Sequence, residues 1–157
     1  MTADPPVHLA SASDAADVAE MSRELIEHGL PWSWRPSRVA RAIASPETNV
    51  AVVRTQGRLV AFGIMEYLEE DAHLVLFAVH PSSQRRGVGS AVLRWLEESA
   101  RAAGTARVRL EARWDNVAAR SFYNEHGYRE LVIKSRMYSG VSDGVRMEKW
   151  LRIAPER

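Results

Sequence analysis

The sequence predicts a single mixed α/β domain whose central sheet is mostly antiparallel. Three observations lead there. Strand and helix patterns alternate in the order β-α-α-β-β-β-α-β-α-β-β, and most neighbouring strands are linked tightly enough to be hairpins. The stretch Leu74-Val75-Leu76-Phe77-Ala78-Val79 is apolar at every position, as expected of a strand covered on both faces. At 157 residues the chain fits one domain, residues 1–157, around one core.

Each element has its own signal. After a short strand at residues 7–10, Ser13 and Asp14 offer helix caps, and Ala15, Val18, Ala19, Ser22, Leu25 and Ile26 recur at helical spacing. His28-Gly29-Leu30-Pro31 ends that helix, Trp32-Ser33-Trp34 is a loop, and Pro36 opens a second helix that stops before Pro46. Strands at 49–55 and 58–68 flank the tight turn Gln56-Gly57. The solvated acidic turn Glu69-Glu70-Asp71 then leads into a strand at 72–80.

The clearest helix follows. Val88, Ala91, Val92, Trp95, Leu96, Ser99, Ala100 and Ala103 form one stripe, Arg94, Glu97, Glu98 and Arg101 face away, and Gly104 supplies a C-terminal cap. A strand at 106–113, a helix at 116–126 closed by Gly127, and a hairpin of 128–138 and 145–153 complete the chain, with a long Gly/Ser/Asp connection in the hairpin.

Composition narrows the function. With 21 basic and 20 acidic residues the formal charge is +1, which gives no electrostatic basis for nucleic-acid binding. No apolar run approaches the roughly 20 residues that span a bilayer. Residues 1–10 lack the basic and apolar regions of a signal peptide, so the expected location is cytoplasmic with no membrane partner. The chain has no cysteine, which excludes disulfides, thiolate metal sites and a cysteine acyl-enzyme. Its five histidines show no metal-ligand spacing and read as surface or capping residues, so no metal is expected. Gly140-Val141-Ser142-Asp143-Gly144 matches a hydrolase nucleophile elbow, but no histidine follows His126 to serve it.

Two motifs carry chemistry. Gln84-Arg85-Arg86-Gly87-Val88-Gly89-Ser90 joins the apolar strand to the clear helix. A glycine-rich turn there presents unpaired N–H groups and the positive dipole end, a setting suited to pyrophosphate, to which Arg85 and Arg86 add charge-assisted contacts. A P-loop is excluded because no Gly-Lys pair exists, and a dinucleotide fingerprint is excluded because Val92 stands where a small residue is needed. Read alone, Gly87 also fits a plain helix cap. The second motif runs from Leu110 to Tyr128: a strand, an Asn116-capped helix and a new strand.

Together these motifs resemble the GNAT acetyltransferase superfamily. Gln84-x-x-Gly87-x-Gly89 is similar to its acetyl-CoA signature, and Asn116, Ala119, Tyr123, Gly127 and Tyr128 follow its second motif. Within the superfamily, Leu110-Glu111-Ala112-Arg113, with Glu111 twelve residues before Tyr123, and Pro31-Trp32-Ser33 resemble the bacterial ribosomal-protein alanine N-acetyltransferases. The resemblance implies the GNAT fold, with two splayed strands and helices on both sheet faces. It implies that the backbone of Phe77, Ala78 and Val79 pairs with the pantetheine of acetyl-CoA, that Gln84, Arg85, Arg86, Gly87, Val88, Gly89 and Ser90 cradle the pyrophosphate, and that Asn116 also contacts the cofactor.

The implied reaction is direct transfer of acetyl to an amine. An α-amine has a pKa near 8 and lysine near 10.4, so a base must take a proton. Glu111 is the candidate base, and Tyr123 the candidate acid for the departing thiolate. As residues alone, Glu111 also fits a solvated strand face shared with Arg107 and Arg109, Tyr123 a core aromatic, and Asn116 a helix cap. The acceptor is expected to be a peptide N-terminus held between the Pro31–Trp34 loop and the Tyr138–Gly144 connection, with Trp32, Trp34 and Tyr138 as flat amphipathic surfaces, or else a small amine such as an antibiotic, polyamine or amino acid. A non-catalytic acyl-CoA-binding protein is the third class, against which the presence of both Glu111 and Tyr123 argues.

Overall fold

Local chemistry sets the limits of the elements. The Asp14 carboxylate accepts the Ser11 N–H at 2.8 Å just before α1 (Ala15–Leu25), and Pro36 starts α2 (Pro36–Ala44) at the position where its missing N–H is harmless. Gln56 and Gly57 both have positive φ, 52° and 79°, and so make the turn that joins β2 (Thr48–Thr55) to β3 (Arg58–Tyr67). The computed structural model describes residues 6–84, 86–138 and 142–152. Its other elements are β1 (His8–Leu9), β4 (Asp71–Val79), α3 (Val88–Ala102), β5 (Arg107–Arg113), α4 (Val117–Glu125), β6 (Arg129–Tyr138) and β7 (Ser142–Trp150), in the predicted order.

The strands form one sheet in the order β1-β2-β3-β4-β5-β7-β6. Every described pairing is antiparallel except β4 with β5, the pair joined through α3. On one face α3 buries Val92, Leu93 and Leu96 against Ala61, Met65, Leu74, Val108 and Leu110. On the other, α1 and α2 bring Val18, Trp34 and Val39 onto Val50, Phe62, Ile64 and Leu76.

One irregularity organises the centre. Met65 pairs with Leu74 and Ile64 with Leu76, so Val75 is an extra residue on β4, a bulge. Ala72 and Leu74 pack on the α3 side, whereas Val75, Leu76 and Ala78 pack on the α1 side. Pairing between β4 and β5 runs from Asp71/Arg107 to Leu74/Leu110 and stops there, while β5 continues along β7 to Arg113. Beyond the bulge the two strands have parted.

Several expectations change. Glu97 does not face solvent: it is 3% exposed and accepts hydrogen bonds from the Tyr128 hydroxyl at 2.8 Å and Lys149 Nζ at 3.0 Å. Burial and the Glu97 carboxylate push the Tyr128 phenol far up, which keeps it a donor. Leu93, outside the expected stripe, is fully buried. Asp71 is not a turn residue; both its oxygens accept from Arg107, at 3.1 and 2.7 Å. The final strand begins at Ser142, not Val145, because Gly144 pairs with Arg113 on one side and Lys134 on the other. Ser142 thus opens a strand, which removes the strand–turn–helix context of a nucleophile elbow.

Gly63 sits where α3 crosses β3. A Cβ there would lie 2.7 Å from Leu96 Cδ1 and 3.3 Å from Val92 Cγ1, both on fully buried side chains. Gly63→Ala is expected to destabilise the protein by about 1–3 kcal/mol through overpacking. A denaturant midpoint equal to the wild type's would show that α3 has slack at this crossing.

Candidate active site

The parting of β4 and β5 leaves the backbone of Phe77, Ala78 and Val79 hydrogen-bonded to β3 on one side and without a β5 partner on the other. α3 begins beside that edge. Gly87 caps it with φ +80°, a conformation that favours glycine, and the first helical bond runs from Ala91 N–H to Gly87 O at 3.0 Å. The N–H groups of Val88, Gly89 and Ser90 precede that bond and lie in the helix's positive first turn. A cleft of about 690 Å³ opens here, lined by β4, the turn, the start of α3 and α4.

Of the residues singled out from sequence, Phe77, Ala78, Val79, Gln84, Gly87, Gly89, Ser90, Asn116 and Tyr123 line this cleft. The Val88 side chain is buried in the core, so only its backbone is available, and Arg86 is exposed and outside the lining. Arg85 lies outside the described residues. The Gln84 amide donates to Val79 O at 3.1 Å, bracing the turn against β4. Asn116 serves as the α4 cap, its side chain accepting the Ala119 N–H at 3.1 Å, while also reaching the cleft.

Gly89 has a second reason to be glycine. A Cβ there would meet Val79 Cγ2 at 3.1 Å and the Phe122 ring at 3.4 Å. The residue therefore sets how closely α3, β4 and α4 approach, as well as leaving the N–H groups open.

Sequence reasoning missed His126 and Phe122. His126 Nδ1 lies 2.8 Å from Phe122 O, which only accepts, so Nδ1 carries the proton; in the neutral ring Nε2 then accepts from the Ser90 hydroxyl at 2.8 Å. Phe122 stacks on Phe77 with centroids 5.5 Å apart. A histidine just before the helix-closing Gly127 was the available signal, but its partner is 36 residues away in sequence.

Tyr123 and Glu111 lie on opposite sides of the sheet. Tyr123 is buried in the α3-side core, its ring 6.0 Å from that of Phe77. Glu111 alternates with Leu110 and Ala112, whose side chains are buried, and so projects to the other face, where the next outward residue, Arg113, donates to Ile26 O at 2.9 Å and His28 O at 3.2 Å beyond α1. Glu111 is the first β5 residue past the last β4–β5 pair and is not among the residues lining the cleft, whereas Tyr123 is.

Glu111 is not a solvated strand residue. Its Oε1 is 2.7 Å from His73 Nε2, its Oε2 is 4.0 Å from Arg146 Nε, and its side chain is 23% exposed. Burial opposes its ionisation, but the His73 hydrogen bond, the charge of that ring when it is protonated, and then Arg146 and Arg109 outweigh that and hold the carboxyl below the ordinary carboxylate value. His73 is thus neither a surface nor a capping residue, contrary to expectation. Among the described residues, no group of three or more His, Cys, Asp or Glu is arranged to hold a metal.

The aromatic loop also differs from expectation. Trp34 is buried in the α1-side core with Arg38 over its ring, and Trp32 is flanked by Arg23 and Arg35 at 5.0 and 4.9 Å. Buried Glu27 ties the loop down by accepting from the N–H groups of Ser33 and Trp34 and the Ser22 hydroxyl. Trp34 is therefore no free platform for a substrate. The Tyr138 side chain lies outside the described residues.

A sheet that opens between two parallel strands beside a glycine-capped helix start defines the GNAT type of acyltransferase. The model described as the Acetyltransferase (GNAT) family matches residues 18–128, and the chain belongs to that family of N-acetyltransferases. It is 34% identical over 118 residues to the [ribosomal protein bS18]-alanine N-acetyltransferase of Escherichia coli strain K12, covering 74% of this chain and 76% of that protein. It is 33% identical over 147 residues to the N-alpha-acetyltransferase RimI of Mycobacterium tuberculosis, covering 88% and 89%. The crystal structure of the E. coli ribosomal-protein-S18-alanine N-acetyltransferase superposes with a TM-score of 0.81 at 26% identity, covering 97% of both chains. No described helix is long and apolar enough to cross a membrane.

Gly89→Val is expected to lower acetyl-CoA affinity at least tenfold and also to lower the melting temperature, since the added side chain meets Val79 and Phe122. Calorimetry and thermal melts read the two effects separately. Unchanged affinity in a folded variant would detach the glycine turn from ligand binding.

Proposed function

We propose that this acetyltransferase binds acetyl-CoA in the β4–β5 gap and passes the acetyl group directly to the α-amine of a peptide N-terminus. The observation that carries the reading is the placement of Glu111 and Tyr123 on opposite faces of the sheet, Glu111 on β5 just past the last β4–β5 pair and Tyr123 in the lining of the cleft beside the parted strands. An amine arriving from the α1 face and a thioester arriving from the α3 face meet there.

The free edge of Phe77, Ala78 and Val79 offers the pantetheine amides an extra-strand pairing. The first-turn N–H groups of Val88, Gly89 and Ser90 suit the pyrophosphate, with Arg85 and Arg86 supplying charge. Asn116 borders the same cleft. Acetyl-CoA supplies the activated acyl group. On the acceptor side, the proton of the ammonium moves toward Glu111, and the freed amine attacks the thioester carbonyl. On the other side Tyr123 protonates the departing sulfur, for which a phenol with a pKa near 10 is suited.

Support for an α-amine comes from the two relatives, named for the bS18 alanine and for Nα-acetylation. Chemistry agrees: an α-ammonium gives up its proton about 2.4 pKa units more readily than lysine, or roughly 3 kcal/mol. A small-amine acceptor is the competing reading.

Tyr123→Phe is expected to lower kcat by about 10²–10⁴-fold with little change in acetyl-CoA affinity, because the buried ring is kept. Near-normal turnover would return Tyr123 to a packing role. The acceptor is tested by competing N-terminal peptides, the same peptides blocked at the α-amine, and free small amines, with products read by mass spectrometry. Acetylation of the free-α-amine peptides alone is expected. Preference for small amines, or equal reaction of blocked peptides through lysine, would contradict the assignment.

A further inference from the structure

His73 is the one histidine on the acceptor-side face that contacts a candidate catalytic group among the described residues. It stands two residues before the bulge and one before the last β4–β5 pair, where the strands separate. Its Nε2 is 2.7 Å from Glu111 Oε1, and the side chains of the two residues are 28% and 23% exposed. An ionised carboxylate only accepts, so in the neutral ring Nε2 carries the hydrogen and Nδ1 keeps a lone pair.

Charged groups face this ring from the neighbouring strands and from α1. Glu66 stands opposite His73 on β3 and Arg109 opposite it on β5, and Asp71 lies two residues back on β4 itself. Asp71 is taken up by Arg107, with Arg109 at 4.0 Å. From β7, Arg146 approaches Glu111 and Glu148 stands opposite Arg109, accepting from Arg107 and Arg129. On α1, Asp17, Glu20, Arg23 and Glu24 are exposed, and beyond it Glu27 is held by Ser22, Ser33 and Trp34. The carboxylate in contact with His73 is therefore that of Glu111.

Glu111 alone is a poor match for the proton it has to take. An α-ammonium near 8 and an ordinary carboxylate near 4 differ by about four units, so only about one carboxylate in 10⁴ would hold the proton, while an imidazole is intrinsically about two units closer to the amine. We infer that His73 and Glu111 act as a dyad in which Glu111 orients the imidazole and the pair, not the carboxylate alone, receives the acceptor's proton. The inference rests on the acetyl-transfer reading.

The proton balance is closed. The ammonium loses one proton, through water, to His73 Nδ1, and the imidazolium formed keeps its Nε2–H on Glu111 Oε1. The amine nitrogen bonds to the thioester carbonyl carbon, the C–S bond breaks, and the Tyr123 proton goes to sulfur. The remaining extra N–H proton restores the phenol, and the imidazolium releases its proton to solvent. Ammonium and acetyl thioester become amide, thiol and one proton. The arrangement follows the carboxylate–imidazole logic of hydrolytic triads.

The test uses the full chain and two variants. In His73→Gln, the amide N–H still reaches toward Glu111 but the side chain cannot take up a proton. Nitrogen NMR of labelled histidine is expected to show the Nε2–H form of neutral His73 in the wild type and loss of that preference in Glu111→Gln. In His73→Gln, kcat/KM for an N-terminal peptide is expected to fall about 10–100-fold near pH 7, with its acid limb moved to lower pH and acetyl-CoA affinity within twofold of wild type. A wild-type pH profile in His73→Gln, or an Nδ1–H form of His73 in the wild type, overturns the dyad. If the wild type acetylates no amine, that result alone refutes the acetyl-transfer reading, and the spectrum still decides whether His73 and Glu111 are paired.

Discussion

The parting of β4 from β5 is the constraint on which the rest of the structure depends. A continuous sheet would put a wall of paired backbone between Tyr123 and Glu111. Val75 prevents that: as an extra residue opposite β3 it bends β4 and exchanges which side chains face each helical layer, while pairing with β5 ends at Leu74/Leu110. Backbone N–H and C=O groups of Phe77, Ala78 and Val79 are left without a β5 partner, and Glu111 stands on the opposite face just past the point where pairing ends. The surrounding structure holds the gap in place. β5 stays paired to β7 as far as Arg113, Arg113 is fastened to the end of α1, and the Phe77, Phe122 and Tyr123 rings pack together on the other side.

Charge is distributed in keeping with this division. On the α3 side, the one deeply buried carboxylate of that helix, Glu97, is satisfied by Tyr128 and Lys149 and fastens α3 to the strands beyond α4. On the α1 side, Arg107 links Asp71 to Glu148 across β4, β5 and β7, and the Glu111 carboxylate is hydrogen-bonded to the His73 ring. Burial disfavours the Glu111 carboxylate, but the His73 hydrogen bond, with smaller contributions from Arg146 and Arg109, holds its carboxyl below the ordinary carboxylate value.

Much of this was legible in the sequence, for identifiable reasons. Element order followed from periodicity and from Gly and Pro punctuation: Pro36, Gln56-Gly57, Gly87, Gly104 and Gly127 all mark real boundaries. The cleft was legible because its backbone donors come from one contiguous turn, Gln84–Ser90, and one capped helix. What was not legible depends on register. The His73–Glu111 contact joins residues 38 apart and needs the alignment of β4 with β5; the helical wheel put Glu97 outside because Lys149 and Tyr128, which stabilise it inside, are distant in sequence. Trp34 looked like a substrate platform because nothing local shows that Glu27 and α2 fold it into the core.

The central claim is that the gap beside β4 and the first turn of α3 form one acetyl-CoA site. Titrating nitrogen-labelled protein with acetyl-CoA tests it most directly. The account predicts saturable shifts of the backbone amides of Phe77, Ala78 and Val79 together with Val88, Gly89 and Ser90, at one common affinity. Shifts confined to other surfaces, or movement of the α3 amides without those of β4, would contradict it.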